Sequence, residues 1–147
     1  MNSQDDSSPV FRNIEAEHQS MRELLKELHH VFDARVDPAG VIQAIGEFVA
    51  YLGEHFEHED KDGFFEEITE VAPRLSRRVE AVSHEHVQLL ATAQAFEAHV
   101  RDTQGSSSWW DEISQEFHRM VTALMDHERR ERKLLREAYL DDIGTGD

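Results

Sequence analysis

An all-α fold, an up-down-up-down four-helix bundle, is predicted by three observations on this 147-residue chain. Four long segments each carry an apolar stripe at three-four spacing. Each opens on a helix-start signal. With seven glycines, three prolines, 39% hydrophobic and 31% charged residues, the composition suits helices better than short strands and turns. The length fits one domain able to bury a core without staples.

The first helix is expected over 9–35, where Ser8-Pro9 places a capping side chain ahead of a proline at the first helical position. Its stripe runs Phe11, Ile14, His18, Met21, Leu25, Leu28, Phe32. Asp37-Pro38 repeats the signal for the second, 38–61, with Val41, Ile45, Phe48, Leu52, His55, Glu59. A connector containing Asp62-Gly63 follows, with a short helical turn expected at 64–71. Pro73 opens the third helix, 74–103, with Leu75, Val79, Val82, His86, Leu89, Ala93, Phe96, Val100. After the loop Gln104–Ser107, Ser108 with Asp111 spells a capping box for the fourth, 109–139. Its stripe is Trp110, Ile113, Phe117, Met120, Leu124, His127, Glu131, Leu134, Ala138. The bundle thus spans 9–139, and the ends, 1–8 and 140–147, read as disordered tails.

Composition also excludes. Without cysteine there are no disulfides, thiolate zinc sites, iron–sulfur clusters or thiol nucleophiles, so any metal must sit on nitrogen and oxygen. A formal charge of -16, with 15 basic residues scattered among 31 acidic ones, disfavours nucleic acid and anionic membranes as partners. No apolar run approaches the roughly 20 residues that span a bilayer. Residues 1–9 are acidic and serine-rich, unlike a secretion signal. The expectation is a soluble cytoplasmic monomer or weak homodimer.

Six polar residues interrupt the stripes: His18, His55, Glu59, His86, His127 and Glu131. Burying such groups without partners costs several kcal/mol at the upper end of transfer estimates, and a metal site supplies the compensation. Neutral imidazole and carboxylate suit iron, manganese or zinc, and bundle cores are a common place to assemble such sites. His55 with Glu59, and His127 with Glu131, are one turn apart on one face. In an up-down bundle all four histidines also fall at one level, each about 17 or 18 residues, or about 25 Å, from the turn that its helix shares with its neighbour in sequence. A metal-free network that fixes register is the plainer alternative.

The set Glu17-His18, His55-Phe-Glu-His-Glu59 followed by Gly63-Phe64-Phe65, Glu85-His86 and His127-Glu-Arg-Arg-Glu131 resembles the hemerythrin-like (HHE cation-binding) family over about residues 10–138. The resemblance implies a non-haem centre of two iron ions, with manganese or zinc as substitutes. Glu59 and Glu131 would bridge the metals; His18, His55, His86 and His127 would cap them. Oxygen carriers of this family have two histidines four apart on the third helix, where this chain has Val82 and Leu90 around His86, and H-x-x-x-x-D on the fourth, where it has H-x-x-x-E. Four histidines in place of five imply a more open site. That shifts the expectation from oxygen carriage to sensing, storing or reacting with O2, peroxide, nitric oxide or iron. A peroxide-decomposing enzyme and a metal-free interaction module are the alternatives.

Other polar residues compete for roles. His58 and Tyr51 are candidates for a missing ligand or an outer hydrogen bond, against partial exposure and core packing. His84 is two residues from His86, about 200° around the helix, and points at solvent. His29, His30, His99 and His118 lie off the seam. Glu15-x-x-His18 has ferritin-type spelling but occurs once, where that fold needs two. Arg129, Arg130, Arg132, Lys133 and Arg136 complement the dipole of the fourth helix and nearby acids. Trp109-Trp110 closes the end of the core.

Overall fold

The computed structural model describes residues 8–141. Four long helices form the bundle: α1 (Pro9–Ala34), α2 (Pro38–Lys61), α4 (Ser76–Asp102) and α5 (Trp109–Arg136), with the short α3 (Phe64–Val71) between α2 and α4. A 3-10 turn, Pro73–Leu75, leads into α4, and a π-turn, Glu137–Asp141, ends the described chain. There are no strands among the described residues. Sequence neighbours α1–α2, α2–α4 and α4–α5 pack side by side, while α1 meets α5 only thinly.

The start signals work as the side chains predict. Ser8 Oγ accepts from the Phe11 backbone N–H at 3.1 Å, and Asp37 Oδ1 accepts from that of Gly40 at 3.0 Å. Ser8 also donates to Glu67 of α3 at 2.7 Å, tying the start of α1 to the connector. The Asp62-Gly63 turn is real: Gly63 has φ 100°, a left-handed conformation that glycine adopts without steric cost. The capping box at α5 is not formed. Ser108 Oγ donates to Glu112 Oε1 at 2.9 Å and makes no cap, because its backbone sits at φ -100° and ψ 8° rather than in the extended conformation from which Ser8, at ψ 153°, turns its oxygen onto the first turn.

The stripes are buried nearly as expected. Trp109, rather than Trp110, fills the first core position of α5, since its indole N–H finds the Val100 carbonyl at 3.1 Å. Leu89 is only half-buried. Of the segments expected as tails, residues 1–7 and 142–147 lie outside the described residues, whereas Ser8 caps α1 and the helical path continues through 140–141.

The apolar interior comes in two blocks. The larger packs Phe32, Phe48, Leu52, Phe96, Phe117 and Leu124 among others; the smaller packs Phe11, Ile14, Phe64, Ile68, Val79 and Leu134 under α3. The six polar stripe residues form the layer between them. That layer is therefore sealed by apolar side chains at both ends.

Candidate metal centre

All six polar residues are within 4% of complete burial. The fold brings them together as two overlapping groups whose ligand atoms lie within 4.8 Å of one another: His18, His55, Glu59 and Glu131, and Glu59, His86, His127 and Glu131. Both glutamates belong to both groups. Each imidazole turns Nε2 inward. His18 Nε2 is 3.4 Å from Glu59 and 3.3 Å from Glu131, His55 Nε2 is 3.3 Å from Glu59, and His86 Nε2 is 3.2 Å from Glu59. His127 Nε2 contacts Glu131, and His86 and His127 bring their Nε2 atoms to 3.0 Å.

Three of the four rings are fixed from behind by a carboxylate at Nδ1. Glu17 holds His55 at 2.8 Å, Asp60 holds His86 at 3.0 and 3.1 Å, and Glu85 holds His127 at 2.9 Å. Such partners place the proton on Nδ1, direct the Nε2 lone pair inward and raise the basicity of the ring. Phe56 lies flat on His86, with centroids 4.0 Å apart and planes 10° from parallel, and meets His127 edge-on at 5.6 Å. Sequence reading missed Glu17, Asp60, Glu85 and Phe56. The acids did leave a signal: each is the chain neighbour of a stripe residue, and one step around a helix turns a side chain by about 100° toward the adjacent helix.

The layer is electrostatically unsatisfied. Burial, reinforced by Glu131, raises the Glu59 carboxyl well above the usual range. Burial pushes Glu131 up too, but Glu59, His127, His18 and His86 outweigh it and hold that carboxyl well down. Burial lowers His55 to about 4, whereas for His127 the same burial is overcome by Glu131 and Glu85 and its value rises. Both Glu59 oxygens and Glu131 Oε2 are buried without a hydrogen-bond partner, although imidazole nitrogens approach them at 3.2–3.4 Å. Inward lone pairs and orphaned carboxylate oxygens converging on shared points are the donor set of a cation site.

A family model, the hemerythrin HHE cation binding domain, matches residues 10–139. The chain belongs to this family. As a hemerythrin HHE domain it is a cation-binding four-helix protein, and its two His/Glu groups have the donors to hold a metal ion. Comparison with curated proteins and with solved structures finds no match.

Within this hemerythrin domain the remaining candidates fall outside the polar layer. His58 is nearly half exposed and its Nδ1 faces Glu17 at 2.7 Å, while the Tyr51 hydroxyl donates to the Glu17 backbone carbonyl at 3.1 Å. Both serve Glu17. Glu15, His84, His30 and His118 are exposed. His29 is half-buried against Phe117, and His99, also half-buried, pairs with Glu116. Arg130 reaches Glu85 and Arg129 reaches Asp126, so the basic cluster does meet nearby acids. A seventh buried polar residue, Glu128, was not read from the sequence; Arg22 pairs with it across α1 and α5. Among the described residues no helix is long and apolar enough to cross a membrane.

Proposed function

We propose that this chain is a non-haem di-iron protein that senses, stores or reacts with a small oxidant or gas, such as O2, peroxide or nitric oxide. The observation that carries the proposal is the sharing of Glu59 and Glu131 by two histidine pairs. His18 and His55 would hold one iron, His86 and His127 the other, and Glu59 and Glu131 would serve both. Manganese or zinc would find the same donors acceptable.

Two irons there would supply one- and two-electron exchange with the bound ligand. The residues of the chain do the rest. With only two imidazoles and the shared carboxylates supplied by the chain, each position would leave room for an exogenous ligand. The apolar blocks on either side, with Phe56 against His86 and His127, keep bulk water from the layer. Protein reconstituted with ferrous iron should carry close to two irons per chain and give an absorption spectrum that changes with azide, peroxide or nitric oxide. A protein that takes up no iron would overturn the proposal. Peroxide separates the roles: many turnovers per chain would identify an enzyme, and stoichiometric bleaching a sensor or store.

A further inference from the structure

Resting on that two-metal reading, we propose that the two positions are unequal. The one between His86 and His127 fills first and holds its metal hardest, with Asp60 and Glu85 as its positioning residues. Both of its rings are anchored, and so are the anchors. Ser83 Oγ donates to Asp60 at 2.7 Å, and Arg130 forks over Glu85 with contacts of 2.6 to 3.1 Å. The His86 ring is further clamped by Phe56. A metal arriving here meets two imidazoles whose tautomer and orientation are already set, so little ordering entropy remains to be lost.

The other position is less well prepared. His55 has Glu17, but Glu17 divides its two oxygens between His55 and the half-exposed His58, and among the described residues no arginine pairs with it. For His18 there is no partner at Nδ1 among the described residues; its polar contacts are Glu59 and Glu131, both at Nε2. A cavity of about 10 Å³, near the size of a single water, lies beside His18 and Glu131 under Ile14 and Phe64. This ring therefore meets a metal without a carboxylate behind it to set its tautomer. Outer partners of metal-bound histidines are typically worth about 10–100-fold in affinity, which sets the expected gap between the positions.

The test is titration of the metal-free full chain with Co2+ under anaerobic conditions, in competition with a chromophoric chelator. The wild type should bind its first equivalent about 10–100-fold more tightly than its second. His18→Ala should keep one tight equivalent, and His127→Ala should keep only weak binding. Circular dichroism would show whether His127→Ala folds. If it does not, the near-isosteric Asp60→Asn and Glu85→Gln decide, each expected to weaken the first equivalent about tenfold. Equal losses in His18→Ala and His127→Ala, or loss of the tight equivalent in His18→Ala, would overturn the inequality while leaving the two-metal reading intact. A wild type that binds no Co2+ would overturn both.

Discussion

Glu59 and Glu131 belong to both His/Glu groups of the polar layer, so on the proposed two-metal reading removing either affects both positions at once. Glu59→Ala and Glu131→Ala should each lower iron content from about two per chain to below one, measured by metal analysis after reconstitution, whereas a solvent-facing change such as His84→Ala should leave it unaltered. His55 makes the metal-free protein sensitive to acid. Burial holds it near 4 against an ordinary 6.5, so as pH falls below 6.5 the unfolded chain takes the proton first and stability drops. The raised His127 works in the opposite sense, but its contribution is already fully present below 6.5 and is lost only as pH rises. The raised Glu59 carboxyl gains stability over the same fall in pH, so the His55 effect is read as a difference: between about pH 6.5 and 4.5, urea unfolding should show metal-free His55→Gln losing less stability than the wild type. All six layer residues were legible in the sequence because each breaks an apolar stripe. The carboxylates behind them were not, because an acid beside a stripe looks like any solvated acid until the neighbouring helix is placed.

Helix starts were legible where a short polar side chain precedes proline, at Ser8 and Asp37, and less so at Ser108, whose backbone is not extended. Ser8→Ala removes both the cap of α1 and the bond to Glu67 of α3, and should cost about 1–2 kcal/mol in chemical denaturation. Ser108→Ala removes no cap and should cost clearly less. Trp109 was displaced from expectation by one position because an indole buries best where its N–H has an acceptor, and only the end of α4 reveals the Val100 carbonyl. Phe117, fully buried and stacked 4.4 Å from Phe32, anchors the larger apolar block. Phe117→Ala should destabilise the fold by about 3–5 kcal/mol without moving a ligand.

At the scale of the whole molecule, two apolar blocks are separated by a layer of six polar side chains, and α3 closes the end nearer the smaller block. Sequence periodicity revealed the four long helices and the common level of the histidines; it could not reveal that α1 and α5 pack thinly while the other neighbours pack along their length. A layer that stores unpaired carboxylate oxygens should be relieved by metal. Binding to the folded state alone at about a thousand times the dissociation constant adds about 4 kcal/mol, so chelation should lower the melting temperature by several degrees or more. The most direct test of the central claim is a crystal structure of iron-loaded protein with anomalous scattering measured at the iron edge. Two peaks about 3.5–4 Å apart between Glu59 and Glu131, one beside His18 and His55 and one beside His86 and His127, are predicted. A single peak, or iron bound anywhere else on the chain, would contradict it.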